Sequence, residues 1–131
     1  MRCFIAINLS NEIRERLAET REKLRPTGKL KIVDPKNIHV TLKFLGEVKP
    51  EEMDAAWRML EEEVKAKAFT MQVKGLGAFP RKSRPKVIWA GVTEGAKEIN
   101  VLHRKIDEAL KPLGFPEDKR FHPHATIARV K

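Results

Sequence analysis

The sequence predicts a single α+β domain, and three observations carry that expectation. Strand-like and helix-like stretches follow one another in the order β-α-β-α-β-β-α-β. Each half also contains strand, helix and then a strand with the same signature: His39-Val40-Thr41-Leu42 in the first, His124-Ala125-Thr126-Ile127 in the second. Finally, the helices run to roughly 12–16 residues, ordinary for globular proteins, and no linker, low-complexity tract or tandem repeat interrupts them.

Arg2 to Leu9 is almost wholly apolar, which suits a central strand covered on both faces. Ser10 supplies an N-cap hydroxyl and Glu12 a negative charge in the first turn. Ile13, Leu17 and Leu24 mark the buried face of that helix, which stops before Pro26 and Gly28. Leu30 to Val33 is a short extended piece, and Asp34-Pro35-Lys36-Asn37 a turn. Ile38 to Leu45 alternates, with Ile38, Val40, Leu42 and Phe44 on one face and His39, Thr41 and Lys43 on the other. The apolar face, Phe44 included, is expected to pack, and the polar face to look into water. Pro50 opens a helix whose period runs through Met53, Trp57, Leu60 and Val64. Phe69 to Val73 reads as a strand punctuated by Gly75 and Gly77, and Val87 to Val92 as another. Thr93 is the expected cap of a third helix, buried through Ile99, Leu102, Ile106 and Leu110. Phe121 to Val130 is the last strand.

A chain of 131 residues suits one compact domain. With 27 Lys+Arg against 18 Asp+Glu, its formal charge is +9, which favours a polyanionic partner, nucleic acid first. A Lys/Glu-rich surface of a heat-adapted protein gives the same bias, so the charge counts only beside a site. One cysteine, Cys3, precludes an intrachain disulfide and makes a reducing, cytoplasmic compartment the expectation; it reads as a core residue. No apolar stretch approaches the ~20 residues that span a bilayer, and no membrane partner is expected.

In a strand, residues two apart share a face, so each motif presents an imidazole beside a hydroxyl. With six Thr in the chain, two such pairs among four His arise by chance on the order of 1–2% of the time. Imidazoles titrate near neutrality, so one can be neutral while the other is protonated, as concerted base and acid catalysis requires. Two hydroxyls can donate to the non-bridging oxygens of a phosphate. This set suits in-line displacement at phosphorus, with no metal site, no cofactor and no glycine-rich loop for ATP.

These residues, with Arg2-Cys3-Phe4-Ile5-Ala6-Ile7, Lys43-Phe44-Leu45-Gly46, Gly77-Ala78-Phe79-Pro80, Trp89-Ala90-Gly91-Val92 and Pro123 to Arg129, resemble the 2H phosphoesterase superfamily. The branch they are most similar to is the RNA 2′,3′-cyclic phosphodiesterase, or 2′-5′ RNA ligase, family. The resemblance spans the chain in order. It implies a bilobal, pseudo-two-fold fold of mostly antiparallel sheets with helices outside and the site in a central cleft. Residues 1–131 would form one such domain of two lobes, without the further C-terminal segment usual in the family. It implies hydrolysis of RNA 2′,3′-cyclic phosphate ends to 2′-phosphates, ATP-independent 2′-5′ joining by the same chemistry, and RNA ends, tRNA fragments included, as partners. Carried over, His39 and His124 are the catalytic pair, and Thr41 and Thr126 hold the phosphate. A working assignment makes His124 the base towards water and His39 the acid, a direction that the sequence leaves open.

The remaining candidates are weaker. Arg129 lies five residues after His124, on the opposite face of a regular strand; a bulge would return it to a phosphate-binding position, which the resemblance favours. Arg81 and Arg84, in a basic loop that ends at Lys86, suit RNA backbone contacts. Phe79 and Trp89 suit base stacking. His122 reads as structural and His103 as a surface or boundary residue. Two other functions stay open: a non-catalytic module that grips RNA ends, and a 2H enzyme for small cyclic nucleotides.

Overall fold

A computed structural model describes residues 1–23, 30–80 and 85–130. Its elements are β1 (Arg2–Asn8), α1 (Asn11–Glu22), β2 (Leu30–Ile32), β3 (His39–Glu47), α2 (Pro50–Glu63), β4 (Val73–Pro80), β5 (Pro85–Val92), α3 (Ala96–Leu110) and β6 (His124–Val130), with single 3₁₀ turns at Pro35–Asn37 and Lys111–Leu113. No helix among the described residues is long and apolar enough to cross a membrane. The expected order of strands and helices is present with one addition, the short extended piece after α1, which pairs as strand β2, and the chain divides into two compact units.

The first unit comprises 1–6, 41–71 and 94–123. It holds most of β1 and β3, which are neighbours, together with α2 and α3, which lie against each other. Several expectations change here. β1 ends the sheet order instead of lying inside it, and Phe4 is 48% exposed. Cys3 is half-buried, its Sγ 3.9 Å from Met53 Sδ. In α2 the period through Met53 and Trp57 does not mark the buried face: Trp57 is 63% exposed, and the residue buried is Ala56. A small side chain lets helices approach closely, and a pattern of large apolar residues does not reveal it. α3 buries Ile99, Ile106 and Leu110 as expected, but also His103 and Asp107. Its N-cap is Gly95, in the left-handed region at φ 88°; the Thr93 hydroxyl instead bonds Gln72 Oε1 at 2.9 Å.

The second unit comprises 7–40, 72–93 and 124–131. Its strands run β3-β6-β5-β4, all antiparallel. β6 is central: β5 pairs one edge along its length, while β3 and β2 share the other, at Val40↔Ala125 and at Leu30↔Val130 to Ile32↔Ala128. Ser10 caps α1 as expected, its Oγ accepting from the Ile13 N–H at 3.3 Å; Leu24, Pro26 and Gly28 lie outside the described residues. The strand expected at 69–73 starts only at Val73 and runs through the two glycines to Pro80.

The two motif strands share one burial pattern. His39 and Thr41 are half-buried, Val40, Leu42 and Lys43 buried, and Phe44 exposed; His124 and Thr126 are half-buried, Ala125, Ile127 and Ala128 buried, and Arg129 exposed. Two consecutive buried residues break the alternation in both. That break is why Phe44, expected to pack, is 72% exposed, and why Lys43, expected to face water, is only 3% exposed.

Candidate active site

β6 brings the second motif to the middle of its unit's sheet. Val40 and Ala125, the residues inside the two motifs, are direct antiparallel partners. One step along that register sets His39 across from Thr126. Thr41, half-buried, follows on β3, on the His39 side by strand alternation.

On the other edge, Gly91 pairs with His124 and Trp89 with Thr126. Gly77 pairs with Trp89 in turn. A Cβ on Gly77 would lie 2.3 Å from the Trp89 ring, so the indole lies across bare backbone. There it packs 5.1 Å from the Phe79 ring and 5.9 Å from the His124 ring. Phe79 meets His124 edge-on at 5.2 Å and keeps 36% of its surface exposed. Two aromatic walls thus stand beside one motif imidazole. A Gly77→Ala change must displace the indole, and we expect a loss of roughly 1–3 kcal/mol in stability, which thermal unfolding measures.

A slip in pairing changes the face on which Arg129 lies. Ile88 partners Ala128, yet Trp89 partners Thr126, which leaves Ile127 as an extra residue on β6. Ile127 and Ala128 both bury, and Arg129 returns to the Thr126 side. Its register partner Val87 also pairs with Phe79, so Arg129 stands in the aromatic row, with Lys31 of β2 across from it.

His39 is half-buried, and burial pushes its pKa below the ordinary histidine value, with the Arg14 guanidinium of α1 pushing the same way. Arg14 Nε is itself buried with no hydrogen-bond partner among the described residues. Arg14 escaped the sequence reading because it lies beside the Ile13–Leu17 stripe with no motif around it. Arg81 and Arg84 lie outside the described residues. His122 is exposed. His103 is buried at 5% exposure, against expectation, because it stacks flat on Phe121 and reaches Asp118 Oδ2 at 2.8 Å.

Comparison with known proteins follows the same lines. The family model described as LigT like Phosphoesterase matches residues 7–89 and 91–131. An RNA 2′,3′-cyclic phosphodiesterase of Archaeoglobus fulgidus is 40% identical over 131 residues, all of this chain and 73% of that protein. One of Aeropyrum pernix is 40% identical over 119 residues, 88% of this chain and 66% of that protein. Among solved structures, TT0787 of Thermus thermophilus superimposes with a TM-score of 0.88 at 32% identity, covering 100% of this chain and 75% of that one. Escherichia coli LigT complexed with 3′-AMP gives 0.81 at 29% identity, covering 98% and 72%.

Proposed function

The chain belongs to the LigT-like phosphoesterase family, and from that premise we propose that it hydrolyses RNA 2′,3′-cyclic phosphate ends to 2′-phosphates. The observation that carries this reading is the Val40↔Ala125 pairing, which joins the two His-x-Thr motifs. Water attacks phosphorus as one imidazole takes its proton. The P–O3′ bond breaks, and the other imidazole protonates the departing 3′ oxygen. Thr41, Thr126 and Arg129 hold the non-bridging oxygens, and no metal is needed. Phe79 and Trp89 flank the terminal base, and the excess positive charge holds the strand behind it. With a ribose 5′ hydroxyl in place of water as the attacking group, the same displacement, in which the P–O3′ bond again breaks and the 3′ oxygen is protonated, joins ends through a 2′-5′ linkage. RNA fragments such as those of tRNA supply both kinds of end. The relatives from Archaeoglobus fulgidus and Aeropyrum pernix, both RNA 2′,3′-cyclic phosphodiesterases, support this substrate.

The electrostatics support His39 as the base, the other of the two directions that the sequence leaves open. Burial and Arg14 keep His39 neutral near neutral pH, the form a base needs. With His39 as base, kcat/KM rises with pH through an acid limb below 6.5. With His39 as acid, activity would already be falling at that pH. Arg14→Met should move the limb upward without bringing it to 6.5, because burial, the larger cause, remains. A pH–rate profile of both proteins decides the assignment.

The functional test incubates the protein with an RNA ending in 2′,3′-cyclic phosphate, chelator present. A 2′-phosphate end is the expected product. Binding without turnover would favour a module that only grips RNA ends. Equal rates on mononucleotides, insensitive to salt, would favour a small cyclic nucleotide as substrate.

A further inference from the structure

Four clustered ionisable side chains of the first unit, Lys43, His103, Asp107 and Asp118, take no part in the chemistry above. Lys43 stands on β3 two residues beyond Thr41. Its ammonium donates to Asp107 Oδ1 at 2.5 Å and to the Pro116 carbonyl at 2.8 Å, and lies 3.6 Å from Asp118 Oδ2. Asp107 Oδ2 accepts from the Asp118 backbone N–H at 3.1 Å. His103 Nε2 lies 2.8 Å from Asp118 Oδ2, within hydrogen-bond distance. The His103 ring stacks on Phe121 with centroids 3.9 Å apart and planes 3° from parallel.

His103, Asp107 and Asp118 bring ligand atoms within 4.8 Å of one another, a spacing a metal ion would accept. Lys43 argues against that use. A cation of the chain itself already lies among these carboxylates, and a metal ion added there would meet like charge.

The place of these residues in the chain gives the cluster another meaning. Lys43 belongs to the strand that carries the first motif. Pro116, Asp118 and Phe121 belong to the stretch that runs through buried Pro123 into His124. Through α3, the cluster therefore ties the strand of one motif to the approach of the other. Replacing a buried ion pair by apolar residues is often neutral or stabilising, so stability alone does not account for it.

We propose that Lys43, Asp107, His103 and Asp118 form a positioning network that sets the placement of His39 against His124. This rests on the two-histidine reaction proposed above. The test uses Lys43→Met, Asp107→Leu and the double variant in the whole chain. The double variant removes both charges and should recover most of the melting temperature lost in either single one. Its kcat on the cyclic phosphate RNA should stay about tenfold or more below the parent's, because small misplacements of reacting groups are costly. KM should move by less than about threefold. Recovery of kcat together with melting temperature would overturn the proposal, as would a rise in the parent's melting temperature on adding zinc. If the double variant does not fold, His103→Gln replaces it, and an unchanged kcat there overturns the proposal. A parent protein without activity would sink the functional reading instead. NMR signals of the His39 and His124 rings, compared between parent and variant, then decide: unchanged signals count against the network.

Discussion

Replacing His39 or His124 by alanine is expected to lower kcat on an RNA 2′,3′-cyclic phosphate end by about 10²–10⁴-fold, the usual contribution of a positioned acid or base. The two losses should not add. In the proposed mechanism base and acid act in one concerted step, so a double variant has little left to lose once one partner is gone. KM should change little if Thr41, Thr126 and Arg129 hold the phosphate as proposed. Thr126→Val should give the opposite split, with a larger change in KM than either histidine variant shows. Steady-state kinetics with an end-labelled RNA separates these outcomes. A His124→Ala protein that retained the parental rate would end the two-histidine mechanism.

The largest stability effect is expected from Asp107→Ala. Asp107 and Lys43 are 4% and 3% exposed, and deleting the carboxylate leaves an ammonium without its nearest counter-charge. Breaking a buried pair from one side costs about 3–5 kcal/mol. For a chain of this size that is a fall in Tm of roughly 10–20 °C, readable by calorimetry. Asp118→Asn, at a carboxylate 38% exposed, should cost much less, because water can replace part of what is lost. Similar losses for the two changes would mean that Lys43 takes its support from Asp118 as much as from Asp107.

Much of the α+β fold and of the motif strands was legible because strand alternation and repeated short motifs are local signals. His39, Thr41, His124 and Thr126 fall on β3 and β6 as the sequence reading has them. What was not legible depends on partners distant in sequence. The burial of Lys43 follows from Asp107, and the exposure of Phe44 from the break in alternation beside it. Arg129 could be assigned to the His124 side only once β5 supplied the register slip. The strand through Gly75 and Gly77 was hidden because glycine reads as punctuation. At Gly77 the missing Cβ instead makes room for Trp89. Arg14 acts on His39 from another element altogether, and nothing in the sequence links the two.

The central place of β6 also governs how this unit can assemble. β6 follows every other described strand in the chain, yet β2, β3 and β5 all pair with it. During synthesis the earlier strands emerge before the one they flank, and β3 keeps an open edge until residues 124–130 leave the ribosome. Closing the loop from Val40 to Ala125 is a long-range step with a high entropic cost and little local reward. Folding of the second unit should therefore be slow and late, and should begin only after release of the second motif. A refolding chevron, followed by Trp89 fluorescence in a Trp57→Phe background, would time that step.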